Sequence, residues 1–179
     1  MGSVLTYFLG YPEDNIVDLK VGLTGREKRL VRESWSVLRV QSVNTGVAIM
    51  TSYFQQYPQY QKVFPAFKDV PLDELAASKK FQAHCQNIVS TLSNAIDALN
   101  DVDLMEAILH TAGERHGRRG QGRQEFIDLK GVIIEVMKGA LKSRFSTEVE
   151  AAWNKTIDVL YLKIFEGIES SVSIDHEHK

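Results

Sequence analysis

A chain of 179 residues, 44% apolar and 25% charged, is long enough for one domain with a full core and short for two. Its formal charge of -2 gives no electrostatic case for a nucleic-acid partner. The single cysteine, Cys85, closes no disulfide within the chain, and no apolar run reaches the length that spans a bilayer. With no basic and apolar secretory start, the expectation is a cytoplasmic protein.

Residues 1–22 read as an irregular N-terminal extension, interrupted by Gly2, Gly10, Pro12 and Gly22. Thr24 followed by Glu27 matches a capping box, so the first core helix should start there, burying Leu30, Val31, Ser34, Trp35 and Leu38. A second stripe, Val47, Met50, Tyr53, Phe54 and Tyr57, must stop at Pro58, whose ring excludes helical geometry at its predecessor. Pro58 to Pro71 is a corner carrying Phe64 and Phe67. From Ser78 to about Asn100 the apolar set is Phe81, Cys85, Ile88, Leu92, Ala95, Ile96 and Leu99. A shorter helix from Asp103 carries Leu104, Met105, Ile108, Leu109 and Ala112, and ends in the basic, glycine-rich stretch Gly117 to Arg123. Another helix runs through Phe126, Leu129, Val132, Ile133, Val136, Ala140 and Leu141. A last capping box, Thr147 with Glu150, should open a helix running to Ile168, with residues 171–179 as a polar tail. No segment alternates with period two, so the fold class is all-α, with residues 23–170 as one domain of about seven to eight helices.

Five histidines occur, of which His176 and His178 lie in the tail. On a helical projection His84 falls about 40° from Ile88, inside the apolar stripe. Measured from Ile108, His116 clusters with Met105, Leu109 and Ala112 between about 40° and about 100°, whereas His110 falls about 200° round. His84 and His116 therefore face inward and His110 outward. A buried imidazole costs free energy unless its nitrogens find partners. Each could be a core histidine satisfied by a backbone carbonyl, or the two could flank one metal centre. A bare zinc ion would want four ligands, and no cysteine or carboxylate completes such a set. Haem brings four equatorial nitrogens of its own, so two histidines suffice.

The order and spacing of several motifs resemble the globin family over roughly residues 24–170. Trp35 lies in the first helix, and Phe54-Gln55-Gln56-Tyr57-Pro58 looks like the junction of second and third helices. Val63-Phe64-Pro65-Ala66-Phe67 looks like the corner whose first phenylalanine packs flat on the porphyrin. Phe81-Gln82-Ala83-His84 resembles the distal segment, with Ile88 crowding the ligand side; Gly113-Glu114-Arg115-His116 resembles the proximal segment of neuroglobin-like globins. The resemblance implies a globin fold around haem b (iron protoporphyrin IX), with His116 as proximal iron ligand. It implies His84 as distal residue, either sixth ligand or hydrogen-bond donor to dioxygen. Met50, Phe64, Phe67, Ile88, Ala112 and Phe126 would line the pocket, with the Ala112 carbonyl orienting His116. The loop from Gly117 to Arg123 comes after a helix and lacks the Gly-Lys-Ser/Thr ending of a phosphate loop, so it reads as a corner with an arginine near a haem propionate.

The resemblance implies two functions. One is reversible binding of dioxygen and other small haem ligands, for storage, transport or sensing. The other is redox chemistry on nitric oxide, nitrite or peroxide at a six-coordinate haem. Cys85 reads as inert packing, with pairing between chains as the alternative. Met1-Gly2-Ser3-Val4-Leu5-Thr6 also fits the N-myristoylation pattern, which would make Gly2 a lipidation site and bring the N-terminus to a membrane, although Met-Gly-Ser is a common vector-derived start. One acyl chain anchors only marginally. Co-expression with an N-myristoyltransferase should add one acyl mass to the intact protein; an unchanged mass with Gly2 exposed removes the idea.

Overall fold

The computed structural model describes residues 14–177, with side chains described as far as Ser171; Gly2 and the rest of the acylation motif lie outside them. Two short strands come first, β1 (Val17–Asp18) and β2 (Leu23–Thr24), paired antiparallel with Val17 opposite Thr24. Seven helices come after them among the described residues: α1 (Gly25–Arg39), α2 (Ser42–Gln56), α3 (Pro58–Gln61), α4 (Lys79–Asp97), α5 (Val102–Gly117), α6 (Arg123–Leu141) and α7 (Thr147–Glu177). The fold is all-α, as the periodicity indicates. α7 runs on through residues 171–177, which the sequence reads as tail.

Local chemistry sets the helix starts. The Thr24 hydroxyl accepts from the Glu27 N–H while the Glu27 carboxylate accepts from the Thr24 N–H at 2.6 Å, a complete capping box. Ser78 caps α4 and Asp101 caps α5 through the N–H of Leu104. At α7 the cap is Ser146, one residue before the expected Thr147: the Ser146 hydroxyl accepts from the Val149 N–H at 3.3 Å. Glu150, expected in that box, instead meets Lys138 at 3.5 Å.

The hairpin is docked on α1. Leu23 and Val21 lie in the core, the Asp14 carboxylate pairs with the Arg29 guanidinium, and Lys28 Nζ, itself buried, donates to Asp18 at 2.6 Å. Gly22 turns the hairpin at φ +68°, a conformation in which a Cβ is strained. Beneath it the main core is built around Trp35 and Trp153, whose rings meet at 5.6 Å. Each indole N–H finds a buried serine: Trp35 donates to Ser93 Oγ and Trp153 to Ser34 Oγ, at 2.9 and 2.8 Å. The inward position of Ser34 thus completes a polar contact inside an apolar core.

Two close helix crossings set the spacing of α2 to α4 and of α5 to α7. Gly46 of α2 lies against the backbone of Cys85 in α4, where any Cβ would collide. Gly113 of α5 lies against the Ile164 carbonyl of α7, and Gly167 of α7 against the His110 carbonyl of α5. Here backbone packs on backbone, and a methyl group cannot be absorbed by a side-chain rotamer. Gly167→Ala should destabilise the fold by about 1–3 kcal/mol or more, read as a lower midpoint in urea unfolding; an unchanged midpoint would remove the close crossing.

Candidate functional site

α4 carries its buried row as Phe81, Cys85, Val89 and Ser93, with Ile96 beyond. Ile88, taken as the centre of that stripe from the sequence, sits on its flank and is half-buried, as is His84. The Gly46 crossing seats the small Cys85 in the helix contact, with His84 and Ile88 to the side of it. Cys85 is fully buried and burial pushes its thiol up to about 12, so it is inert packing and is not open to another chain.

The His84 ring lies edge-on to Phe64 at 5.0 Å and tilted against Phe67 at 5.7 Å, while those two phenylalanines stack at 5.0 Å and 18°. Neither nitrogen of His84 has a hydrogen-bond partner among the described residues. Met50, fully buried, and Ile88 belong to the same apolar cluster, with Phe54, Leu75 and Phe81 behind. Leu75 escapes sequence reading because it stands on an isolated 3-10 turn, Leu75–Ala77, too short to show a period.

On α5, His116 faces the same space. Its Nδ1 donates to the Ala112 carbonyl at 2.7 Å, which leaves Nε2 as the unprotonated nitrogen, and its ring meets Phe126 edge-on at 5.1 Å. His110 is apart, part-exposed, with its Nδ1 3.4 Å from Glu114. The structure therefore brings together His84, Phe64, Phe67, Met50 and Ile88 on one side, and His116, Ala112 and Phe126 on the other.

The two imidazoles are close enough for His116 to bear on His84. Burial pushes the His84 pKa down to about 4, and the charges of His116 and Arg119 push the same way. His116 is lowered as well, mainly by burial, against the hydrogen bond to Ala112. Both rings are therefore neutral near pH 7 and able to act as metal ligands. Arg119, which the sequence does not distinguish from its arginine neighbours, is felt by both rings; it is exposed and forms no ion pair among the described residues.

No group of three or more His, Cys, Asp or Glu side chains that could hold a bare metal ion occurs among the described residues. Two neighbouring neutral imidazoles in an aromatic surround are instead a donor set that suits a planar cofactor supplying its own equatorial ligands. The fold and this site define a helical haem-protein class. The sequence model of the globin family matches residues 47–164, well over half of the chain, and the chain belongs to the globin family. It is 26% identical over 144 residues to cytoglobin-1 of Oryzias latipes, covering 79% of this chain and 81% of that one. It is 24% identical over 144 residues to a globin of Nerita albicilla, covering 80% and 92%. The solved structure of the hexa-coordinate haemoglobin of Drosophila melanogaster superposes with a TM-score of 0.74 at 30% identity, covering 79% of this chain and 92% of that one. Family membership implies haem as the cofactor, and the residues present fit it.

Because the folded pKa of His84, about 4, lies below its ordinary 6.5, the unfolded chain takes up a proton in this interval while the native state does not. Its contribution to stability is present above the unfolded value and is lost as pH falls toward the folded one. In the haem-free protein, NMR titration should place the His84 midpoint near pH 4, and unfolding free energy should fall with pH across the same interval less steeply in His84→Leu. A midpoint near 6.5 would contradict the burial.

Proposed function

We propose that this chain is a haem b globin that binds dioxygen reversibly, in which His116 would hold the iron permanently and His84 would be a second ligand to it at rest. The observation that carries this reading is the pair of neutral imidazoles on facing helices, His116 with Nδ1 committed to Ala112 and Nε2 free, His84 with both nitrogens free. When bound, haem supplies four equatorial nitrogens and the iron that takes up the gas.

The chain's own residues do the rest. The Ala112 carbonyl fixes the tautomer and orientation of His116, as outer hydrogen bonds do for metal-bound imidazoles. Burial keeps His84 neutral at physiological pH, so it has either a lone pair for the iron or an N–H for a small ligand. Phe64, Phe67, Met50, Ile88 and Phe126 exclude water, which protects the ferrous state from proton-assisted oxidation. Arg119, close enough to lower both imidazoles, offers positive charge to the carboxylates of the cofactor. The hexa-coordination named for the Drosophila relative supports the resting state proposed.

His116→Ala should abolish stable haem retention through gel filtration; retention at the level of the unmodified chain would sink the assignment. The deoxygenated ferrous protein should show sharp, split visible bands, and His84→Leu should keep the haem but give one broad band. A broad band in the unmodified chain would mean that His84 is not a ligand at rest.

A further inference from the structure

Tyr53, Tyr57 and Tyr60 pack as a trio where α2 meets α3, and Tyr161 of α7 lies beyond Phe126. Tyr53 and Tyr60 stack at 5.2 Å and 17°, with Tyr57 at 5.7 and 5.8 Å from them. A continuous aromatic path links this trio to the site: Tyr53 meets Phe54 at 5.8 Å, Phe54 meets Phe64 at 5.4 Å, and Phe64 meets His84 at 5.0 Å. Tyr60 is the half-exposed end of that path.

The four hydroxyls are chemically unequal. A phenol gives up an electron far more readily when its proton has a base to go to. Tyr161 Oη is buried with no hydrogen-bond partner, and Tyr57 makes no hydrogen bond among the described residues. Tyr53 Oη donates at 2.8 Å to the backbone carbonyl of Glu125, a very weak base. Tyr60 Oη donates at 2.6 Å to Asp128 Oδ2, a carboxylate whose other oxygen is held by Gln124 Nε2 at 2.8 Å. That hydrogen bond pushes the Tyr60 phenol up to about 12, so at rest it holds its proton and points it at the base.

We propose that Tyr60 is a redox-active tyrosine that passes electrons from reductants in solution to the His84 site, its phenolic proton shuttling to and from Asp128. The proposal rests on the reading that the chain binds haem. The oxidant is hydrogen peroxide, and its complete reduction to two waters takes two electrons and two protons. Tyr60 sends one electron inward along Tyr53, Phe54 and Phe64 as its O–H bond breaks and the proton moves to Asp128 Oδ2. A small donor of the ascorbate or phenol class then returns an electron to Tyr60 at the surface, and the proton moves back from Asp128. Two such rounds deliver both electrons, and the two protons consumed are those the two donor molecules release to solvent. Tyr60 and Asp128 are unchanged at the end.

The test mixes the ferric, haem-loaded full chain with equimolar hydrogen peroxide. Freeze-quenched samples are read by electron paramagnetic resonance, and nitroso spin-trap adducts are mapped by peptide mass spectrometry. The expected result is a tyrosyl signal with the adduct on Tyr60, lost in Tyr60→Phe and reduced in Asp128→Asn, while Tyr57→Phe leaves it unchanged. The Soret band, recorded on every variant, confirms folding and haem content. An intact Soret band with the full tyrosyl signal in Tyr60→Phe, or with no tyrosyl signal in the unmodified chain, overturns this proposal and leaves haem binding standing. Failure of the unmodified chain to retain haem overturns both.

Discussion

The contact between α5 and α7 is the constraint on which the site depends. Gly113 and Gly167 let the two backbones touch, each glycine seated on a carbonyl of the other helix, and Gly117 continues the contact against Ile168 and Ser171. This contact leaves no side-chain layer to compress or relax, so the height of α5 is fixed by hard contact between main chains. His116 lies three residues beyond Gly113 on that same helix. The position of its imidazole is therefore set by a helix contact one turn away on α5.

The opposing wall is set in the same way by another glycine. Gly46 brings α2 onto α4 at Cys85, which seats Cys85 in the helix contact and leaves His84 and Ile88 half-buried beside it. Both imidazoles are then desolvated, which holds them neutral and leaves ring nitrogens that no protein group satisfies. The two tryptophan N–H groups of the core are each matched to a serine hydroxyl, whereas the buried hydroxyls of Thr51, Thr156 and Tyr161 are, like those imidazole nitrogens, without a hydrogen-bond partner among the described residues. Of these partnerless groups, the imidazole nitrogens, both of His84 and Nε2 of His116, are the ones suited to ligate a metal.

The aromatic residues divide into two kinds of work. Phe64, Phe67 and Phe126 present apolar rings to the histidines and keep water out. Tyr53 and Tyr60 carry hydroxyls to α6, where one meets a backbone carbonyl and the other a carboxylate. The same contacts that hold α2 and α3 against α6 thus place one phenol beside a base at the protein surface.

Much of this is legible in the sequence because helices write their buried faces at a fixed period. The phase of His116 against Met105 and Leu109 turns it inward and His110 outward, and the capping box and proline mark helix ends that the structure keeps near Thr24 and Pro58. Periodicity is less exact in α4, where it centres the buried row on Ile88 when the helix contact falls on Cys85 and Val89. A projection gives the direction of a stripe to within a residue, whereas a glycine in another helix decides which residue touches. Nor does it separate Thr147 from Ser146 as a cap, since both offer a hydroxyl at adjacent positions and only backbone geometry selects one. Helical order, the inward histidines and the family are thus written in the chain itself. Which imidazole nitrogen is free, which arginine stands by the pair and which tyrosine meets Asp128 emerge only on folding, because they depend on contacts between residues far apart in the chain, which no local pattern encodes.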